Sequence, residues 1–182
     1  MFNNMKTMTS PILFDIESTG LLRQGSRIHC IVARDCVHPE DYTVYDNRPD
    51  STITMGVEAL KRAPVLVGHN IASYDIPLIQ EGYDFDYQGE VFDTLVLSRL
   101  FYPDIRDRDY ERRPMGMPEK LYGSHGLAAW GYRLRCNKGE FGKQENAWDV
   151  YTPEMLDYCV QDTLVTVKLY DLMMRRIEDY AG

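Results

Sequence analysis

PILFDIESTGL, residues 11–21, is the stretch that decides how this chain folds. Its apolar run Ile12-Leu13-Phe14 reads as a strand, and residues two apart on a strand point to the same face. Asp15 and Glu17 therefore converge. Two carboxylates side by side repel and are costly unless a cation sits between them. Hard oxygen donors of this kind suit magnesium or manganese rather than zinc.

The surrounding composition is that of one compact domain spanning residues 1–182. With 182 residues and 44% hydrophobic content there is ample material for a buried core. No apolar run approaches the ~20 residues of a membrane span. The opening MFNNMKTMTS is polar and lacks the apolar stretch of a signal peptide. Cys30, Cys36, Cys136 and Cys159 are scattered without paired metal-ligand spacing, so they read as reduced thiols in a cytoplasmic protein. A net charge of −8 argues against a protein that coats nucleic acid with an extended basic face. It leaves room for an enzyme that grips a few nucleotides, because bound divalent ions cancel part of that charge.

Along the chain the pattern alternates between strand and helix. RIHCIVARD and DYTVYD follow the first strand as two more, separated by polar turns. ITMGVEALKRA is an amphipathic helix stopped by Pro64, and VLVGH is a short buried strand. YDIPLIQEG reads as a helix ended by Gly82, and VFDTLVLSRLF as a strand end turning into a helix. Residues from about 103 to 123 are rich in charge, proline and glycine and are expected to be loop. GSHGLAAWGYRL gives a short helix bounded by Gly131. In the last helix Thr152 is the N-cap, Pro153 the first helical residue and Glu154 a complement to the positive terminus, with apolar residues recurring to Met174. The expected architecture is α/β, a central mixed sheet of about five strands flanked by helices.

Two further motifs carry acids. In VGHNIASYD, Asp75 opens a helix; taken alone, such a residue is more often a cap than a ligand. In LDYCVQD, Tyr158 and Asp162 stand four apart and share a helical face. A phenol and a carboxylate so placed can both reach one water, although an exposed helical pair is the plainer reading of that motif by itself.

Together the three segments resemble the DEDD superfamily of 3′-to-5′ exonucleases, which have an RNase H-like fold. The D-x-E pair matches Asp15 and Glu17. Asparagine followed by an aromatic-Asp pair matches Asn70, Tyr74 and Asp75, and Tyr-x3-Asp matches Tyr158 and Asp162, the mark of the tyrosine subclass. The histidine subclass would place His where Asp157 stands. FDTLVLSRL, GSHGLAAWGYRL and DYCVQD further resemble the proofreading exonuclease domain of phage family A DNA polymerases, over nearly the whole chain. In those enzymes a polymerase domain continues, whereas this sequence stops at Gly182; the ending RRIEDYAG and the N-terminus favour a separate gene product over an excised domain.

The resemblance implies hydrolysis of a phosphodiester by in-line attack with two divalent cations, Mg2+ or Mn2+, about 3.5–4 Å apart. Asp15 would bridge both, Glu17 and Asp162 would hold the ion on the attacking side, and Asp75 would serve the second. Tyr158 would orient the water, since a tyrosine of pKa ~10 is a poor base at neutral pH. Ser18, Thr19 and Leu21, with Asn70 and Tyr74, would contact the terminal nucleotide; Leu21 is nearly as well explained as core. His69 reads as a structural histidine, and Asp93 as either a support of the second motif or a helix cap. Arg106, Arg108, Arg112 and Arg113 interleave with Asp107, Asp109 and Glu111, so the segment reads as a solvated loop, or else as a flap offering Tyr110 for base stacking. The leading expectation is a nuclease of single-stranded DNA 3′ ends, proofreading beside a separate DNA polymerase in DNA replication, in the cytoplasm of an infected host and away from membranes. The alternatives are an exoribonuclease of short RNA and a non-catalytic module that binds a polymerase or host protein.

Overall fold

The computed structural model describes residues 10–19, 25–136 and 148–181. Its frame is a five-stranded sheet ordered β3-β2-β1-β4-β5. The strands are β1 (Ile12–Ser18), β2 (Ile28–Asp35), β3 (Tyr42–Tyr45), β4 (Val65–Gly68) and β5 (Glu90–Asp93). β1 and β2 pair antiparallel, as do β2 and β3, whereas β4 runs parallel to both β1 and β5. The switch follows from the connections. Few residues separate the first three strands in sequence, while β4 and β5 are reached through helices α1 (Ile53–Arg62) and α2 (Asp75–Gly82).

β1 is buried on both faces and the alternation is clean. Ile12, Phe14 and Ile16 pack against Val57 and Leu60 of α1, and Leu13 packs with Val167 and Tyr170 of the last helix, α6 (Pro153–Ala181). Asp15 and Glu17 share Leu13's side, so they face α6. The two acids thus sit on a fully supported strand, whose position cannot drift without disturbing both cores. Gly68 ends β4 because nothing larger fits: an added Cβ would stand 2.2 Å from Cγ2 of Ile71 and 3.0 Å from the carbonyl oxygen of Phe14.

α6 opens with Thr152, whose hydroxyl accepts from the Met155 N–H at 3.2 Å. It runs on past Met174 to Ala181. Its seat on the sheet is held by Arg34 of β2, 2% exposed, whose Nε donates to Oγ1 of Thr163 at 3.0 Å and whose guanidinium lies 4.6 Å over the Tyr42 ring. Burial pushes the Arg34 pKa down. A buried cation with neutral partners is costly, and the return is a fixed register between β2 and the helix segment that carries Asp162.

Two expectations fail. The region from 103 to 123 contains a helix, α4 (Ile105–Arg112), and a 3-10 turn at Glu119–Leu121. α4 lacks an apolar stripe; it is held by Arg108 pairing with Asp104 at 2.9 Å and by buried Asp109 accepting two bonds from Arg133. Gly131 does not bound its helix but lies buried inside α5 (Leu127–Arg133). The remaining helix, α3 (Thr94–Phe101), follows β5 directly. Among the described residues no helix is long and apolar enough to cross a membrane.

Candidate active site

Beyond Leu13, β1 leaves β4: the two pair only at Ile12–Leu66 and Leu13–Val67. The backbone of β1 that is freed on that side is taken up by Asp75. Its carboxylate accepts from the N–H of Ile16 and from its own N–H at the start of α2. Asp75 is 4% exposed, and burial, then the charge of Asp15, push its pKa well above the ordinary carboxylate range. The helix terminus and the two N–H donors oppose that shift. They do not overcome it. Asp75 is therefore no helix cap; the first-turn acid of α2 is aimed back at β1.

The loop that delivers Asp75 is held by a different acid. Asp93, at the end of β5, accepts from the backbone N–H groups of Asn70 at 2.9 Å and Ala72 at 3.1 Å, and caps α3 by accepting from Leu95 at 2.9 Å. Both readings of Asp93, support and cap, hold at once. Asn70 adopts a left-handed conformation, φ 69°, which asparagine tolerates better than most residues, and its carbonyl accepts from Ser73 and Tyr74. Its place in the motif has a backbone explanation. His69 Nδ1 lies 2.9 Å from the Thr94 hydroxyl, which itself donates to the Gly68 carbonyl at 3.0 Å, so Nδ1–H is the donor. His69 is structural.

From the other side, α6 brings Cys159 to β1, with Tyr158 beside it in sequence. The Cys159 thiol lies 3.5 Å from Oδ2 of Asp15, and ligand atoms of Asp15, Glu17 and Cys159 all fall within 4.8 Å of one another. Asp162 is one helical turn from both Tyr158 and Cys159, and is 4% exposed. The Tyr158 ring meets Trp148 edge-on at 6.0 Å between centroids. Trp148 is anchored in turn through its carbonyl, which accepts from His29 Nε2 at 2.9 Å. His29 occupies a bulge: Glu17 pairs with Cys30 but Ser18 with Ile28, leaving one extra residue on β2.

Cys159 is the residue that the sequence reading missed. Its signal was available, since it stands three before Asp162 on the same helical face. Burial, then a bond with Cys30 and the charge of Asp15, raise its pKa well above the ordinary thiol range. It stays a protonated donor to Asp15, unsuited to hard-cation ligation.

The proposed nucleotide contacts divide. The Ser18 hydroxyl is 2.8 Å from the Tyr74 hydroxyl, a link between the first and second motifs. Thr19 closes the β1–β2 hairpin, its N–H donating to the Arg27 carbonyl and its Oγ1 accepting from the Arg27 N–H, both at 3.0 Å. Leu21 lies outside the described residues. Tyr110 packs edge-on against Tyr122 at 5.2 Å on α4.

The donor set fits divalent cations. Asp15, Glu17, Asp75 and Asp162 are hard carboxylates drawn from three elements. The raised Asp75 pKa reflects burial first and then repulsion from Asp15, and a bound cation would relieve both.

With this geometry the comparisons agree. A DNA-directed DNA polymerase of Enterobacteria phage T3 is 33% identical over 186 residues, covering 90% of this chain and 26% of the polymerase. That of Escherichia phage T7 is 34% identical with the same coverage. Over nine-tenths of its length the chain is similar to part of these polymerases. It spans about a quarter of the length of the phage polymerases it matches. No protein-family model matches it. The RNase H-like fold recurs in Brucella melitensis NrnC with bound Mg2+, with TM-score 0.62 at 17% identity over 99% of this chain and 80% of that one. It recurs too in Escherichia coli RNase D, an exoribonuclease involved in structured RNA processing, with TM-score 0.59 at 16% identity over 93% of this chain and 40% of that one.

Proposed function

We propose that residues 1–182 form a single exonuclease domain that removes nucleoside monophosphates from the 3′ ends of single-stranded DNA, with two divalent cations, Mg2+ or Mn2+. The observation that supports this reading is the meeting of Asp15 and Glu17 on β1 with Cys159 of α6, one helical turn before Asp162, while the charge of Asp15 also acts on Asp75 of α2. Asp15, Glu17, Asp75 and Asp162 would hold the cations, with Asp15 central because both Asp75 and Cys159 lie against it. Bound there, the cations supply Lewis-acid activation of water and stabilisation of the leaving 3′ oxygen.

The chain's own residues would do the positioning. Tyr158, braced by Trp148, orients the attacking water rather than taking its proton. Ser18 and Tyr74 would border the place of the terminal nucleotide. Identity of 33–34% to DNA polymerases favours DNA over RNA, and proofreading beside a separate DNA polymerase is the role that such a domain would fill.

The test uses the purified chain with end-labelled single strands of DNA and of RNA, in magnesium, manganese or chelator. A ladder of products shortened from the 3′ end of DNA, abolished by chelator, is expected. Faster loss of RNA would assign the enzyme to ribonucleotide ends. No metal-dependent shortening of either strand would leave a binding module.

A further inference from the structure

Acids outnumber bases in this chain, 28 Asp and Glu against 20 Lys and Arg, yet six arginines line one cavity. The cavity, about 460 Å3, lies between α4, α5 and the C-terminal half of α6. Its arginines are Arg108, Arg112, Arg113, Arg133, Arg135 and Arg176, and Asp109 is the one carboxylate among its lining residues. Asp109 is already engaged. It accepts from Arg133 at 2.9 and 2.6 Å and from the Gly123 N–H at 2.9 Å. Arg108 pairs with Asp104, and Arg176 donates to the Tyr102 hydroxyl at 3.1 Å. Among the described residues no carboxylate pairs with Arg112, Arg113 or Arg135.

The backbone adds an independent sign. Arg113 and Arg135 have φ values of 47° and 53°, each just past the end of a helix. That left-handed position is the usual place of glycine, and a side chain there costs about 1–2 kcal/mol. Two arginines adopt it 22 residues apart and line the same cavity. Backbone preference does not explain the residue chosen; the side chain does. Trp130 also lines the cavity, 3% exposed, and its buried indole N–H has no acceptor among the described residues. A place rich in unmatched donors suits an anion with several oxygens, and guanidinium forks match phosphate.

Location selects the phosphate. Leu172 and Arg176 follow Asp162 by 10 and 14 residues on α6, about 15–21 Å along the axis. That rise corresponds to roughly four to six stacked nucleotides. We propose that this cavity holds a backbone phosphate of the single strand whose 3′ end occupies the carboxylate site, about four to six nucleotides from that end. The inference rests on the exonuclease reading and adds to it how so acidic a chain keeps hold of a polyanion. Charges more than about 10 Å away are screened at physiological salt, so the local arginines govern.

The test reads binding apart from hydrolysis. Affinity for oligothymidylates of about 3 and about 12 nucleotides is measured in chelator, over a series of salt concentrations. The full chain should bind the longer strand at least about tenfold more tightly, whereas Arg113→Gly with Arg135→Gly should lose that advantage. The salt slope should fall by about 0.7 for each phosphate contact removed. Glycine suits both backbone positions, so the melting temperature should hold or rise, and lost binding cannot be assigned to unfolding. Arg112→Gln, on the exposed side of α4, should show part of the same loss.

A double variant that retains both the length dependence and the slope would overturn the inference. So would a polyglutamate peptide that competes as well as an oligonucleotide of equal charge, since the cavity would then take an acidic peptide. Wild-type protein that shows length-dependent binding but no metal-dependent hydrolysis would defeat the exonuclease reading alone, because the comparison with the variant is made without metal.

Discussion

The Cys159 thiol donates to Oδ2 of Asp15 across 3.5 Å, from a position one helical turn before Asp162. The contact couples the first and third motifs through a residue at one of the unspecified positions of the third. Because burial and neighbouring acids keep the thiol protonated, its part is to orient the carboxylate. Cys159→Ala should cost about 1 kcal/mol of stability, the scale of one hydrogen bond, and lower turnover less than about tenfold. Asp15→Ala, measured beside it, should remove hydrolysis by several orders of magnitude. Losses of equal size in steady-state assays would make Cys159 a ligand after all.

Asp75 should make the metal-free protein pH-sensitive. Its folded pKa is raised, chiefly by burial and then by Asp15, so between the unfolded and folded values the native state binds more protons than the unfolded one. Stability contributed by this group then falls as pH rises through that window. Asp75→Asn removes the term. It should be more stable than wild type in chelator at neutral pH, with an advantage that shrinks towards acid pH and on adding magnesium, while activity is lost. Thermal melts across pH, with and without metal, measure this; an Asp75→Asn protein less stable than wild type in chelator at neutral pH is the result that sinks it.

Asp93 carries more of the site than its distance from the metal ligands suggests. Replacing it with alanine strands the N–H groups of Asn70 and Ala72 and uncaps α3. A lost cap costs about 1 kcal/mol, and each buried unsatisfied N–H about 1–3 kcal/mol. Because Ala72 is exposed and Asn70 half-buried, water offsets part of that loss; Asp93→Ala should cost about 1–3 kcal/mol in urea unfolding, and the folded fraction should turn over slowly because the loop leading to Asp75 has lost its anchor. Full activity in that fraction would show that the loop holds without it.

Tyr158 separates from the carboxylates by its chemistry. If it orients water, Tyr158→Phe should slow turnover while the magnesium concentration giving half-maximal rate stays within about twofold, since no ligand is lost. Trp148→Ala, which removes the ring packed against Tyr158, should show the same pattern in weaker form. A rise in the magnesium requirement as steep as that of Asp162→Asn would place the phenol on the metal.

Where burial and periodicity carry the structure, they were legible beforehand. The alternation of Ile12 to Glu17 gives β1, and the cap at Thr152 gives α6, because both depend on local chemistry. α4 was not legible, since its stability comes from Arg133 reaching Asp109 across 24 residues rather than from an apolar stripe. The bulge at His29 and the buried Arg34 escaped for the same reason, each being fixed by a partner on α6 or on the turn before it. In the candidate site, the acids were visible by their spacing. Asp93 was legible too, as a support or a cap, whereas the Cys159 contact with Asp15 went unread because it exists only once α6 meets β1.

The preference for unpaired ends should be the enzyme's most telling property. Ser18 and Tyr74 join the first and second motifs 2.8 Å apart, beside the carboxylates where a 3′-terminal nucleotide would lie. A paired end must be melted before it reaches them, which costs a few kcal/mol of pairing and stacking. Mismatched ends melt more easily, so they should be trimmed faster than matched ends by about tenfold for each 1.4 kcal/mol of pairing forgone. No base-specific contact is needed, and the discrimination is a property of the duplex. Single-stranded, mismatched and matched 3′ ends compared under single-turnover conditions should fall in that order of rate. Each should give a ladder shortened one nucleotide at a time. Equal rates on blunt and single-stranded ends, or internal cuts in circular single-stranded DNA, would remove the exonuclease reading together with its link to proofreading.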